Sequence, residues 1–219
     1  MRIGGTVHRS RGPNSEFSAE LLTYLNSIGF LYAPRYIGTD EEGRDVLEYV
    51  AGNTTNHPSR RSEAAYSAGG RMLRALHDAT AGHRLAAGAE CVAHGDPGPF
   101  NAIFRDGLPV AFIDWDTAHP GERIHDVAYM AWTWCIQAAG EVPIEAQVRH
   151  LRDFVAGYGF TGGPRLLDAI VAAQTGMIDR ESQVRGDPAR RAHARTAVEW
   201  ARSDRTLVLD NLEILRAAL

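Results

Sequence analysis

One segment, residues 94–116 (HGDPGPFNAIFRDGLPVAFIDWD), restricts the possible folds of this chain more than any other feature. It holds Asp96, then Asn101 five residues later, then Asp114 eighteen residues after Asp96. A turn after Asp96 and a hairpin beyond Asn101 would fold Asp114 back towards Asn101. We therefore expect these three polar side chains to converge on one site.

The hairpin has its own local signal. Asp106-Gly107 is a strong two-residue turn sequence, and it separates two strand-like stretches, 101–105 and 109–113. Within the hairpin the apolar residues favour paired strands, so the register is expected to bring the two outer ends together.

The three side chains fit the requirements of phosphoryl transfer. That reaction needs an in-line acceptor, a base near its hydroxyl, and Mg²⁺ to neutralise the phosphate oxygens. Asp96 is a candidate base, while Asn101 and Asp114 offer the oxygen ligands that Mg²⁺ prefers. The alternative is plain turn chemistry, because Asp and Asn are favoured around a Pro-Gly-Pro loop. The complete set, in its HGD and IDWD surroundings, favours a functional site.

Composition narrows the class of protein. The chain has 219 residues, enough for one domain or two lobes with a common core, and its formal net charge of −4 argues against a nucleic-acid partner. No apolar run is long enough to span a membrane. Two unpatterned cysteines, Cys91 and Cys135, indicate buried reduced thiols and a cytoplasmic location. All 23 basic residues are arginine, so any role that requires a lysine must be filled by arginine or lost.

Turn signals and apolar periodicity predict the order of the elements. The front part contains one strand, one helix capped by Asn14 or Ser15, a hairpin with the tip DEEG, and a break at 51–53. From about residue 123 the chain is expected to be helical, with breaks near Gly140, 159–164 and 186–188. The other predicted elements are a strand at 5–9, helices at 16–28 and 60–79, the hairpin at 36–50 and a strand at 91–93.

The string H-G-D-x-x-x-x-N followed by I-D-W-D resembles the aminoglycoside phosphotransferases and the related choline- and homoserine-type small-molecule kinases. The resemblance continues forward to HDVAY at 125–129 and backward to APRYIGTDEEGRDVLEYVAG at 33–52, so it covers about residues 9–135. It implies an α+β, protein-kinase-like fold. We expect a reduced N-lobe over 1–52 and a mostly helical C-lobe over 53–219.

The resemblance also implies roles for individual residues. Asp96 would be the catalytic base, and Asn101 and Asp114 would be the Mg²⁺ ligands. Backbone groups near Glu48 and Val50 would contact the adenine of ATP at the hinge between the lobes.

Three further residues have less specific implied roles. His94 would brace the catalytic loop through hydrogen bonds. Asp116 is expected either to assist the metal or acceptor or to be an exposed loop carboxylate. Asp126 is expected to cap a helix or brace the catalytic loop rather than touch substrate.

The front of the chain departs from the family pattern. Only about nine residues precede the PNSE turn, which leaves no room for two strands and a phosphate-covering loop, and the expected lysine is absent. Arg9, at the end of the predicted strand, is the best substitute, although a plain surface arginine is the alternative. Glu16 or Glu20 would be its carboxylate partner, unless both lie on a solvated helix face.

These observations predict an ATP- and Mg²⁺-dependent phosphotransferase acting on a hydroxyl of a small polar molecule. The alternative is a pseudokinase-like protein that binds a nucleotide or metabolite without phosphoryl transfer. The reduced N-lobe also allows a homodimer or another partner that completes the site. A weaker possibility is that the carboxylates serve a different metal-assisted reaction.

Overall fold

A four-stranded antiparallel sheet forms the front of the protein in the computed structural model, which describes residues 1–55, 57–217 and 219. The order across the sheet is β1-β2-β4-β3, for the strands defined below. The strand predicted at 5–9 is confirmed over Thr6–Arg9, but the expectation that two strands have no room here is wrong: Gly4-Gly5 turns the chain, so that Arg2 pairs with Val7 in a short hairpin. The strands are β1 (Arg2–Ile3), β2 (Thr6–Arg9), β3 (Tyr36–Thr39) and β4 (Asp45–Glu48).

Helix α1 (Ser15–Ser27) connects β2 to β3, within one residue of the predicted helix at each end. Asn14 occupies its N-cap position but makes no side-chain capping bond. Its amide instead donates to the backbone carbonyls of Asp116 and Ala118, both at 2.9 Å. The start of α1 is therefore fixed to the segment that follows Asp114.

The predicted hairpin with the tip DEEG is confirmed by the pairing of β3 with β4. At the tip, the Asp40 carboxylate accepts hydrogen bonds from the backbone N–H groups of Glu42 and Arg44. Residues on both faces of β4 are buried, since Val46 and Leu47 are each only 8% exposed.

The rest of the chain is mostly helical, with breaks at the predicted places. A 3-10 turn at Pro58–Arg60 and an extended Arg61 delay the second helix to residue 64, later than the predicted start at 60. That helix packs closely on the fourth, because a side chain at Gly70 would overlap the backbone of Phe154. The helices are α2 (Ala64–Thr80), α3 (Arg123–Met130), α4 (Ile144–Tyr158), α5 (Arg165–Ser182), α6 (Pro188–Asp210) and α7 (Leu212–Arg216).

Two small two-stranded antiparallel sheets lie against these helices. The hairpin predicted around Asp106-Gly107 is confirmed, and both turn residues have positive φ, at 50° and 75°, as a two-residue turn of this kind requires. The other sheet pairs the predicted strand at 91–93 with a short strand that the sequence did not reveal. The strands are β5 (Cys91–Ala93), β6 (Ala102–Arg105), β7 (Leu108–Phe112) and β8 (His119–Gly121).

Buried tryptophans form the centre of the core. Trp115, Trp132 and Trp134 are at most 1% exposed, and the latter two follow α3 in a π-helical turn over Ala131–Cys135. The indole of Trp134 donates to the carbonyl of Pro97 at 2.9 Å, so the core supports the loop that carries Asp96. Among the described residues, no helix is both long and apolar enough to cross a membrane.

Candidate active site

The loop that joins β5 to β6, residues 94–101, brings Asp96 and Asn101 into direct contact. We call this segment the HGD loop. The Asn101 side-chain amide donates to the Asp96 carboxylate at 2.9 Å and to the Asp96 backbone carbonyl at 3.1 Å. The amide nitrogen is thereby committed to Asp96, and the amide oxygen, which accepts no hydrogen bond within the described part of the chain, is left for another ligand.

Asp114 approaches the same place through the register of the β6–β7 hairpin. Ala102 pairs with Phe112, and the next backbone bond runs from the Ile113 N–H to the Asn101 carbonyl at 2.9 Å. Asp114 itself has a left-handed backbone, with φ 60° and ψ 68°, which is uncommon for a residue other than glycine. The chain thus turns sharply at Asp114, beside Asn101, as the sequence led us to expect.

The HGD loop is held from behind by a buried carboxylate. Asp126, on α3 and 1% exposed, accepts hydrogen bonds from the backbone N–H groups of His94 at 2.7 Å and Gly95 at 2.9 Å. His77 of α2 lies 3.1 Å from the same carboxylate. Burial alone would raise the pKa of Asp126, but these hydrogen bonds and the neighbouring imidazoles bring it below the usual value. Asp126 therefore braces the loop, the role expected for it.

His94 links the HGD loop to the strand before Asp114. Its Nδ1 accepts from the Asp96 N–H at 3.3 Å, which leaves Nε2 to donate to the Ile113 carbonyl at 3.1 Å. The imidazole is fully buried against Phe112 and Trp115, and burial lowers its pKa. A neutral His94 with its proton on Nε2 satisfies both bonds, so the residue acts as a structural brace.

Asp96 has one oxygen that the protein leaves without a partner. Its Oδ2 accepts from Asn101, whereas its Oδ1 is buried and has no hydrogen-bond partner among the described residues. Burial raises the pKa of Asp96, and the nearby charge of Asp114 raises it further, while Tyr129 and Asn101 act in the opposite direction. A buried carboxylate oxygen with no partner and a raised pKa is able to accept a proton from a bound group.

Arg9 contacts the site, but not through the partners that the sequence suggested. Its guanidinium, at the end of β2, forms an ion pair with Asp116 and lies 3.5 Å from Asp114. Glu20 instead pairs with Arg84 on the protein surface, so it does not serve Arg9. Asp116 is an exposed carboxylate, as one of the two alternatives predicted, and it is paired with Arg9.

A cavity of about 220 Å³ lies between the front sheet and the β6–β7 hairpin. Four of the sequence-predicted residues border it: Glu48, Val50, Arg9 and Asp114. The Tyr49 N–H is occupied by the Gly5 carbonyl. No hydrogen bond of the Val50 N–H or carbonyl occurs in the described part of the chain. After Val50 the chain crosses to the hairpin.

Two residues that sequence reasoning missed also belong to this region. Tyr129 lies one turn after Asp126 on α3 and is close enough to Asp96 to affect its pKa, although no hydrogen bond of normal geometry joins them. The buried ring of His77 joins Asp126 to the hydroxyl of Tyr158, 2.8 Å from its Nδ1. Tyr129 could have been predicted from the sequence, because it lies three residues after Asp126 and so on the same face of α3. No local sequence pattern indicates that His77 belongs to the site.

The oxygen donors fit a magnesium ion better than a transition metal. No group of three or more His, Cys, Asp or Glu side chains in the described ranges is arranged to hold a metal by itself. Asn101 and Asp114 carry side-chain oxygens that could serve as ligands, and Mg²⁺ commonly takes one or two ligands from protein and the others from phosphates and water.

Comparison with known proteins decides the family. Residues 79–166 match the profile of the phosphotransferase enzyme family, APH. Over an alignment of 252 residues the chain is 31% identical to a trifolitoxin immunity protein from Rhizobium leguminosarum bv. trifolii, with 100% of this chain and 94% of that protein covered. The chain belongs to the APH phosphotransferase family. The family suspected from the HGD and IDWD strings is thus confirmed.

Solved structures show the same fold. A choline/ethanolamine kinase family protein from Mesorhizobium loti superimposes with a TM-score of 0.63 at 18% identity, covering 99% of this chain and 87% of that one. The ADP-bound aminoglycoside phosphotransferase APH(2'')-Ib gives a TM-score of 0.57 at 13% identity, covering 94% of each chain. The expected α+β, protein-kinase-like fold with a mostly helical C-terminal part is confirmed.

Proposed function

We propose that this phosphotransferase moves the γ-phosphate of ATP to a hydroxyl of a small polar molecule, with Mg²⁺ as the required ion. One observation carries the proposal. The Asp96–Asn101 hydrogen bond and the Asn101–Ile113 backbone bond bring a candidate base and two metal-competent side chains together in one short segment, 96–114. A base and two metal ligands are the functional groups that phosphoryl transfer requires of a protein, which mainly positions the reacting groups and stabilises charge.

Asp96 is the proposed base. A general base must accept a proton in the transition state, and a raised pKa makes a carboxylate a better acceptor. The buried Oδ1 of Asp96 has no partner in the described chain, so its capacity to accept a hydrogen bond from an acceptor hydroxyl is unused. The Asn101 amide holds the other carboxylate oxygen and fixes the direction in which Oδ1 points.

Asn101 and Asp114 are the proposed metal ligands. The Asn101 amide nitrogen is committed to Asp96, so the amide oxygen is the atom that remains for a metal. When bound, Mg²⁺ neutralises the charge on the phosphate oxygens. The left-handed backbone at Asp114 sets the direction of its carboxylate.

The nucleotide is proposed to occupy the cavity bordered by Glu48, Val50 and Arg9. Backbone groups near Glu48 and Val50 would meet the adenine, while Arg9 lies at the end nearest Asp114 and would meet the phosphates. A guanidinium pairs with phosphate in a bidentate manner, which suits this position in a chain without lysine. The similar APH(2'')-Ib structure is ADP-bound, which supports nucleotide binding here.

The test combines binding with turnover. Calorimetry should detect ATP binding that depends on Mg²⁺, and Asp114→Ala should remove that dependence. Asp96→Asn should bind Mg·ATP within about threefold of wild type but lose phosphoryl transfer by at least about a hundredfold, because a base contributes to the transition state rather than to binding. Absence of nucleotide binding in wild type, with or without Mg²⁺, contradicts the kinase proposal.

A second candidate function is protection against a toxin, favoured by the 31% identity to a trifolitoxin immunity protein. Chemical inactivation and simple sequestration are separated by one comparison in toxin-sensitive cells. Protection by wild type but not by Asp96→Asn supports phosphoryl transfer to the toxin. Equal protection by both supports binding without turnover.

We also propose a cytoplasmic location, supported by two free, buried cysteines.

A further inference from the structure

Arg61 is a buried cation without a counter-charge. It is 8% exposed, and its Nε and Nη1 atoms have no hydrogen-bond partner among the described residues. Its Nη2 makes one long hydrogen bond, 3.4 Å, to the side-chain oxygen of Gln137. The rings of Tyr66 and Trp134 lie 5.5 and 5.9 Å from the guanidinium carbon. Within the described chain no carboxylate pairs with it.

This arrangement opposes folding. A buried charge is tolerated when it is paired and hydrogen-bonded, and an unpaired one is among the most costly features of a protein interior. The two ring contacts compensate only in part, since cation–π contacts are weak compared with the desolvation of a charge. Burial also lowers the pKa of Arg61. An anion that reached the guanidinium would supply the missing hydrogen bonds and the missing charge.

A cavity of about 350 Å³ is separated from this group by Gln137, and Arg61 itself does not line it. Gln137, which accepts the one hydrogen bond of Arg61, forms part of its wall, and so do His57 and Pro58, just before Arg61 in the chain. None of the described residues that line the cavity is acidic, and its wall is mostly apolar, with the large rings of Phe100 and Trp200.

The same cavity touches the HGD loop. Pro99 and Phe100, which lie between the proposed base Asp96 and the proposed ligand Asn101, form one side of it. The Trp134 ring, which lies beside Arg61, also holds the loop through its hydrogen bond to the Pro97 carbonyl. A molecule in this cavity would therefore contact the HGD loop at Pro99 and Phe100, although the side chains of Asp96 and Asn101 do not line the cavity themselves.

We infer that this cavity binds the phosphate acceptor, and that the acceptor is a small carboxylic acid with an apolar body whose carboxylate pairs with Arg61. Binding requires the Gln137 side chain to yield its place to the carboxylate, because the amide oxygen of Gln137 is the present partner of the guanidinium. The apolar body would lie against Phe100 and Trp200. The identification of this ligand as the acceptor depends on the proposed function, but the anion site itself does not.

The test uses benzoate as the probe and benzyl alcohol, of the same shape without the charge, as the control. Titration calorimetry without ATP should show that benzoate binds wild type more tightly than benzyl alcohol does. Arg61→Met should weaken benzoate binding by at least about tenfold, since it removes a charge-assisted pair. Arg71→Met, the same change at an exposed arginine of α2, should leave it unchanged. Arg61→Lys, which keeps the charge, should retain part of the affinity.

Thermal stability distinguishes an anion-binding Arg61 from a purely structural one, because the two roles predict opposite effects of Arg61→Met on the melting temperature. Without ligand, Arg61→Met should melt at or above the temperature of wild type, because it removes an unpaired buried charge. A melting temperature several degrees lower, or equal binding of benzoate and benzyl alcohol by wild type, overturns the inference. Benzoate binding that depends on Arg61 in a protein that fails to bind Mg·ATP would uphold the anion site and reject only the kinase proposal.

Discussion

Asp126→Asn tests whether one buried carboxylate sets the shape of the HGD loop. One Asp126 oxygen accepts from the backbone of His94 and lies 3.1 Å from His77, and the other accepts from the backbone of Gly95. An asparagine has a single acceptor oxygen, so at best it keeps the first two bonds and turns its NH₂ group towards the N–H of Gly95. At least one hydrogen bond to a charge is lost, and a buried N–H is left without an acceptor.

The size of the effect follows from those losses. A hydrogen bond to a charged group contributes about 1.5–3 kcal/mol, and an unsatisfied buried donor costs about 1–3 kcal/mol more. We expect the free energy of unfolding to fall by about 3 kcal/mol or more. For a chain of this length that corresponds to a drop in Tm of roughly 6–12 °C, and phosphoryl transfer should fall because Asp96 loses its support.

Thermal and urea unfolding measure this change directly. Asp179→Asn, on the exposed surface of α5, is the matched control and should shift Tm by no more than about 2 °C. If Asp126→Asn unfolds within about 1 kcal/mol of wild type, the carboxylate is not what holds the loop, and the argument from these hydrogen bonds is wrong.

Three further predictions concern other parts of the molecule. Gly70→Ala should lower the free energy of unfolding by about 1–3 kcal/mol, because the added methyl overlaps the backbone of α4. Gly176→Ala meets only a flexible arginine side chain and should stabilise helix α5 by about 0.5–1 kcal/mol. Chemical denaturation measures both changes, and equal effects would refute the close packing of α2 on α4. The lowered pKa of His94 means that the unfolded state takes up a proton first, so stability should fall as the pH drops below about 6.5, and His94→Gln should flatten that part of the stability–pH curve. Arg9→Met should raise the KM for ATP by about tenfold or more, and Arg9→Lys should recover part of the loss. The Tm should change little, because exposed ion pairs such as those of Arg9 contribute at most about 1 kcal/mol. An unchanged KM would show that Arg9 does not belong to the nucleotide site.

The elements that the sequence predicted correctly are those with local causes. The Asp106-Gly107 turn has a conformation that its two residues favour, and the hairpin around it followed. Helix α1 was located within one residue from the spacing of its leucines and from Gly29, which has φ 73°. The strand β8 escaped prediction because its three residues show no alternation and its pairing with β5 depends on a contact between distant segments.

Electrostatic partners were harder to predict than the elements that carry them. The sequence placed Arg9 near the site but gave it Glu16 or Glu20 as a partner, because a glutamate on the next helix is the usual arrangement. The structure gives Arg9 to Asp114 and Asp116, more than a hundred residues away. Such a partner depends on how the front sheet docks on the β6–β7 hairpin, which no local pattern encodes.

The proposed site therefore has two parts, one built from contacts within a single segment of the chain and one built from contacts between distant segments. The proposed base and metal ligands come from one continuous segment, and the bonds that join Asp96, Asn101 and Ile113 all lie within it. The proposed nucleotide cavity instead depends on contacts at the interface between the front part of the chain and the segment after the β6–β7 hairpin, made by Arg9 and Asn14 to residues 114–118. Loosening that interface, for example with Asn14→Ala, should therefore weaken nucleotide binding while Asp96 and Asn101 keep their arrangement. If nucleotide affinity survives that change, the front sheet is not what shapes the nucleotide site, and the cavity bordered by Val50 needs another explanation.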